Sequence, residues 1–313
     1  MLKSTTPTMV GSEAKAKKKR HSFSLNAKDK YFALLFLGPS LLLLSVFVFY
    51  PMFRTLYISM FLTNTLGKTT VFNGFGNYAT LLSSPEYIAS MGSTLFYVLA
   101  VTALTVSIGL LLANLASQKL AGIGIFRTLY SITMGVSVSV AAIFWLFIFN
   151  PSTGFFTIIS NALHLPVINW LTDPKMAMWA VIITTVWMHL GFTFLILLGS
   201  ISSVPTTLYE AASVEGASER RQFFKITIPM ISPTLFFVST ITLIDSFKSF
   251  GLIDLITKGG PTNSTNMLVY RLYKDAFYSG NYGQASSEAI ILTIIIAFFT
   301  FLQFKFLEKR VNY

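Results

Sequence analysis

The feature that most constrains this 313-residue chain is a set of apolar runs, each about long enough to cross the hydrocarbon core of a bilayer. A helix needs roughly 20 apolar residues for that crossing. Six runs qualify, at 31–51, 93–116, 126–149, 177–198, 232–256 and 289–306. Lipid offers no partner to a backbone amide, so each run is read as a helix that satisfies its own hydrogen bonds. Barrel strands would be about ten residues long and would alternate apolar with polar side chains, and no such alternation occurs. Composition agrees, with 53% of residues hydrophobic and 11% charged, against about a quarter charged in a soluble domain. The expected fold class is an all-α membrane protein with six transmembrane helices.

The net charge of +11 is a topology signal. In a six-span arrangement 16 of the 23 Lys and Arg fall on one side, eight of them in the first 30 residues, and six fall on the other, with Lys248 inside a run. Basic residues gather on the cytoplasmic side of membrane proteins, so both termini are expected in the cytoplasm. Membrane lipid, through its anionic headgroups, is the partner this charge implies, and nucleic acid is not. Cysteine is absent, which excludes disulfides and thiolate metal sites. The basic stretch 15–20 precedes a long apolar run without a small-residue cleavage pattern, so the first span is expected to remain as an anchor.

Three regions follow. Residues 1–30 form a basic cytoplasmic tail too poor in large apolar side chains to fold on its own, and disorder is expected there. Residues 31–92 hold the first span and an outer loop with the aromatic, turn-rich stretch 72–78, and residues 93–313 hold the five remaining spans. Within them the cytoplasmic loop 200–231 is rich in helix formers. A helix is expected from Thr206 to Glu215, an interruption at Gly216, and a second helical stretch over 217–227 leading to Pro229. Two short helices bent at a glycine make a knob that fits a cleft on a soluble partner.

The residues of this knob carry a resemblance. Glu210-Ala211-Ala212, then Gly216-Ala217, then Ile226, Ile228 and Pro229 reproduce the spacing of the cytoplasmic "EAA" loop of permeases in binding-protein-dependent, type I ABC importers. The departures are Ile228 for Leu, and Glu215 where many members have Asp. A second stretch, Thr257-Lys258-Gly259-Gly260-Pro261 followed by Thr265 and Ala276-Phe277, resembles the first-permease branch of carbohydrate importers, the maltose and glycerol-phosphate type, as do Phe75-x-Asn77-Tyr78 and the ending 308–313. The extra spans before the first and the large outer domain of the enterobacterial maltose form are not seen, so the shorter form is expected. The resemblance implies a type I permease fold in a bacterial plasma (inner) membrane, with Glu210, Ala211, Ala212, Glu215, Gly216, Ala217 and Pro229 forming a coupling helix. It also implies partners: a second, homologous permease, a cytoplasmic ATPase dimer that binds ATP and Mg, and an extracytoplasmic sugar-binding protein. No cofactor is expected in this chain. Small side chains permit close helix approach, and Glu210 can form a charge-assisted hydrogen bond. The plain alternative is a helix–turn–helix packed on its own bundle, with Gly216 as a C-cap.

A polar stripe marks a candidate solute path. Thr242, Asp245, Ser246 and Ser249 recur at helical spacing in the fifth run, and ionisable groups inside spans are functional candidates by default. The stripe faces either a sugar path or a partner helix that it glues in place. By resemblance to the maltose permease, the same four positions and Met188, His189 and Phe192 of the fourth run line the sugar site; His189 read alone is better explained as a packed, hydrogen-bonded histidine than as a ligand group. No Gly-Lys-Ser/Thr phosphate loop and no metal-ligand cluster is present, so the chain is not expected to be an enzyme. The expected function is the membrane path of an ATP-driven carbohydrate importer, working by alternating access. An ion-gradient carrier is the alternative, set aside because neither inverted repeats nor broken helices are legible; a permease for glycerol phosphate is another.

Overall fold

The computed structural model describes residues 27–118 and 122–307. The expected disordered tail and the 308–313 ending fall largely or wholly outside those residues. The chain divides into two compact units, 1–52 and 53–313.

The first unit is carried by helix α1 (Ala27–Leu44), which continues through a wide turn at Ser45–Phe49 into α2 (Tyr50–Ile58). The stretch Leu35–Ile58 is long and apolar enough to cross a membrane, and none of its most apolar residues is buried. The helix runs past the 31–51 read from hydropathy to Ile58, because Arg54 ends the apolar run without interrupting the helix.

The second unit opens with a two-stranded antiparallel hairpin, β1 (Phe61–Thr63) and β2 (Thr69–Phe72), that an all-α reading did not foresee. Its pairing is fixed from outside the strands. Asn77, in helix α3 (Gly76–Ser83), is buried and donates through Nδ2 to the carbonyls of Ser59 and Phe61 at 2.9 and 3.0 Å. Helix α4 (Pro85–Ser117) follows, starting at Pro85 rather than 93 because Ser84 caps it and proline fits its first turn.

Two expected spans are broken. The third consists of α5 (Ile123–Ile132), a tight turn Thr133–Gly135, and α6 (Val138–Ile148), with a bend of 111°. Ser137 caps α6 by accepting from the Val140 amide at 3.3 Å, so a new helix starts inside an apolar run that hydropathy reads as continuous. After α7 (Phe155–Ala162), the long α8 (Pro174–Ser202) is capped by Asp173, which accepts from the Lys175 and Met176 amides. The knob consists of α9 (Thr206–Val214), α10 (Glu219–Gln222), a wide turn Phe223–Thr227 and α11 (Ile228–Met230). Helix α12 (Ser232–Phe247) leaves it at a 71° bend. The expected fifth span ends as a helix at Phe247 and resumes only as α13 (Gly251–Ile256). The chain closes with α14 (Leu268–Phe277) and α15 (Tyr282–Leu307). Among the described residues four helices are long and apolar enough to cross a membrane, or up to six if each bent pair is one span.

The core lies where α4, α8, α12 and α13 meet, around Tyr97, Val101, Ile182, Phe247 and Ile253, all nearly or fully buried. An ionic cluster ties the edge of this unit together. Arg271 of α14 sits 3.2 Å from Glu288 of α15, which is only 1% exposed, and lies over the ring of Tyr87 of α4 at 5.5 Å. Glu288 falls one residue before the apolar run at 289, so hydropathy left it out of the span.

Removing one partner of a buried ion pair strands the other and costs about 3–5 kcal/mol. Arg271→Ala should therefore lower the thermal unfolding midpoint of the detergent-purified protein more than the double variant Arg271→Ala/Glu288→Ala does. A double variant that loses the sum of the Arg271→Ala and Glu288→Ala losses would show that the pair is not coupled.

Candidate solute path and coupling surface

The break in the third span opens onto a cavity that the last turn of α12, just before the second break, also borders. The cavity has a volume of about 260 Å³ and is lined by Thr133, Met134 and Val136 from the break in the third span, Met188, His189 and Phe192 of α8, and Ile241, Thr242 and Asp245 of α12. The unwound segment before α6 approaches α8 closely because position 191 has no side chain. A Cβ on Gly191 would lie 2.8 Å from the Met134 nitrogen and 2.9 Å from the Tyr130 carbonyl oxygen. At Gly251, opening α13, a Cβ would lie 2.8 Å from Cγ1 of Val138. Non-helical backbone at membrane depth is tolerated where it is buried in protein or lines a cavity, and here it does both.

Five of the seven path residues read from sequence line this cavity: Met188, His189, Phe192, Thr242 and Asp245. Ser246 is buried and donates to the Thr242 carbonyl at 2.7 Å. Ser249 lies past the end of α12 and accepts from the Tyr97 hydroxyl at 2.9 Å, which is also 2.7 Å from Thr185. Tyr97 thus ties α4 and α8 to the break after Phe247. Asp245 and Lys248 form an ion pair at 3.2 Å with side chains 43% and 59% exposed, so neither is buried as a mid-span reading required. Thr133, Met134 and Val136 were missed. The legible signal was Gly135 followed by Ser137, a helix-stop glycine and an N-cap serine within three residues.

The knob forms as the sequence indicates. Gly216 has φ +78, a left-handed conformation that glycine adopts at no steric cost. The Ala217 amide donates to the Ala212 carbonyl at 2.9 Å and the Gly216 amide to Ser213 at 3.0 Å, the paired bonds of a Schellman helix end. Glycine is required here by backbone conformation, not by crowding, since nothing lies within 4 Å of a Cβ at this position. Gln222 Nε2 bridges back to Ser213 Oγ and the Ala217 carbonyl, and the Tyr209 hydroxyl meets Thr227 at 2.9 Å. The two arms are therefore braced. Glu210, Ala211, Glu215 and Gly216 are exposed, and Ala212, Ala217 and Pro229 are half-buried. The Glu210 carboxylate has no ion pair among the described residues. Val214 at the tip is 91% exposed.

A bundle with a cavity at its broken helices and a braced knob defines the membrane subunit of a transport system. Residues 105–313 match the family of binding-protein-dependent transport system inner membrane components. The sn-glycerol-3-phosphate transport system permease protein UgpA of Agrobacterium fabrum (strain C58 / ATCC 33970) is 33% identical over 288 residues, 91% of this chain and 97% of that protein. The UgpA of Brucella abortus biovar 1 (strain 9-941) is 35% identical over 280 residues, 88% of this chain and 94% of that protein. Among solved structures, a bacterial ABC transporter involved in the import of the acidic polysaccharide alginate aligns with TM-score 0.79 and 21% identity, over 90% of this chain and 96% of that chain. A second structure of that transporter, with TM-score 0.75, is in complex with an alginate pentasaccharide-bound periplasmic protein. The chain belongs to the inner membrane components of binding-protein-dependent transport systems, the permeases of ABC importers, and is a transport component rather than an enzyme. The broken third and fifth spans remove the ground on which an ion-gradient carrier was set aside from sequence; family membership now supplies it.

The fit at Gly191 gives a direct test. Gly191→Val should wedge the Thr133–Gly135 turn away from α8 and lower thermal stability by several degrees. Gly199→Val on the same helix, where nothing lies within 4 Å of the added Cβ, should leave it within a degree or two.

Proposed function

We propose that this chain is one half of the membrane path of an ATP-driven carbohydrate importer, six spans with both termini in the cytoplasm. The observation that carries the reading is the cavity where the broken third span meets α8 and α12, lined by hydroxyls, a carboxylate, an imidazole and apolar faces. Such a lining suits a solute that presents both hydroxyls and C–H surfaces. Its modest volume and open side fit a site completed by a second, homologous permease. A glycerol phosphate is the second reading, favoured by the solute named for the relatives at 33–35% identity.

In this reading the knob of α9 and α10 is the coupling element. Glu210, Ala211, Ala212, Glu215, Gly216, Ala217 and Pro229 hold or present the surface that docks on an ATPase dimer, which binds ATP and Mg. The unpaired Glu210 carboxylate meets a basic group there, and Val214 enters an apolar part of the groove. ATPase closure displaces the knob, and the 71° bend before α12 passes that displacement to the helix bearing Thr242 and Asp245. An extracytoplasmic binding protein delivers the solute, a reading supported by the alginate transporter's structure in complex with an alginate pentasaccharide-bound periplasmic protein.

Two measurements test this. A hydrogen bond to a charged group contributes about 1.5–3 kcal/mol, so Glu210→Lys should reduce recovery of the ATPase on a tagged chain roughly tenfold or more and abolish uptake, while the protein still inserts. Undiminished recovery with normal uptake would remove the coupling role. The chain has no cysteine, so Ser22→Cys and Ser218→Cys should be shielded from an impermeant thiol reagent in intact cells and Ser264→Cys should be labelled. Outside labelling of Ser218→Cys would reverse the topology.

A further inference from the structure

We infer that Asp245 makes the cavity a charge filter, so that the solute this chain passes is an uncharged polyhydroxylated molecule and not a phosphate monoester. The inference rests on the transport reading above and narrows its substrate class, against the phosphate ester named for the relatives.

Phosphate monoesters carry a charge of about −1.5 to −2 at neutral pH, and proteins hold them with arginine, lysine or free helix N-termini. Among the described residues of this chain the ionisable lining groups are Asp245 and His189, and no lysine or arginine lines the cavity. The cation beside it, Lys248, is 3.2 Å from the Asp245 carboxylate, and its side chain is 59% exposed. It offsets part of the Asp245 charge from outside the lining, where the carboxylate is the group the cavity presents. The N-terminus of α6 lies beside the lining segment at Val136, and its Ser137 hydroxyl occupies one of its amides, that of Val140. A phosphate entering here would lose hydration and meet a carboxylate. A neutral sugar or polyol meets the same carboxylate as a strong acceptor for its hydroxyls, the Thr242 and Thr133 oxygens, and the apolar faces of Met188 and Phe192.

Charge at the cavity is readable without knowing the solute, because the chain carries no native cysteine. Met188→Cys is introduced into the full importer, and labelling of this chain is followed by mass with three methanethiosulfonate reagents: cationic, anionic and uncharged. The pH is 8, where an ordinary histidine (pKa about 6.5) is neutral. Rates are divided by those for a free thiol. The cationic reagent should react at least tenfold faster than the anionic one. Asp245→Asn should bring the ratio close to one, and Lys248→Gln, which frees the carboxylate, should raise it. Phe192→Cys should repeat the pattern from the next turn of α8. A ratio of one or below with Asp245 present overturns the filter, as does a ratio unmoved by Asp245→Asn. A thiol at position 188 inert to all three reagents overturns it too, since no solute then reaches the cavity. If Asp245→Asn does not assemble, a ratio unmoved by Lys248→Gln is decisive against it. The ratio does not depend on uptake, so an importer that transports no carbohydrate yet keeps the cationic preference sinks the transport reading and leaves the filter standing.

Discussion

The structure is governed by the requirement that no backbone amide go unpaired in hydrocarbon. Uninterrupted helices meet it alone; interrupted ones meet it only with help from neighbours. The chain interrupts two apolar runs, at Val136–Ser137 and at Lys248–Phe250, and places both interruptions against α8 and α4. Ser137 recaps the helix after the first break, Tyr97 holds Ser249 at the second, and Gly191 and Gly251 omit the side chains that would keep the segments apart. The cavity is what remains where packed helices give way to broken ones. A candidate solute site therefore arises from the same residues that make the breaks tolerable.

The knob solves the complementary problem of being exposed yet rigid. A Schellman end at Gly216, the Gln222 bridge and the Tyr209–Thr227 bond fix its two arms without burying its outer face. It joins α12, the helix bearing Thr242 and Asp245, through a wide turn and a bend, and the proposed coupling rests on that connection. At the other edge, the buried Arg271–Glu288 pair and the Tyr87 ring hold α14, α15 and α4 as one block.

Much of this was legible in the sequence, and the failures have a common cause. The apolar runs located every helix long enough to cross, because bilayer thickness imposes length. The knob was readable almost to the residue, because Thr206, Gly216 and Pro229 are local start and stop signals. The breaks were not read, because averaging hydropathy over about 20 residues erases a short departure, although Gly135 and Ser137 mark it. Glu288 escaped because a charge at the edge of an apolar run looks like the end of the span; only packing shows that it meets Arg271 of the neighbouring helix. The path residues were placed partly by resemblance, and that explains the split among them. Thr242 and Asp245 face the cavity, while Ser249 belongs to the break itself, whose geometry a regular helical stripe does not describe.

The central claim is that solute crosses at the breaks. It is tested most directly by blocking the cavity in the working importer. In proteoliposomes with ATP inside, supplied with whichever labelled sugar the system takes up, a bulky thiol reagent attached to Met188→Cys should abolish ATP-driven uptake. The same reagent on Leu195→Cys, an exposed position on α8 outside the cavity lining, should leave uptake largely intact. Uptake that persists with the Met188→Cys thiol fully modified would contradict the account and place the path elsewhere.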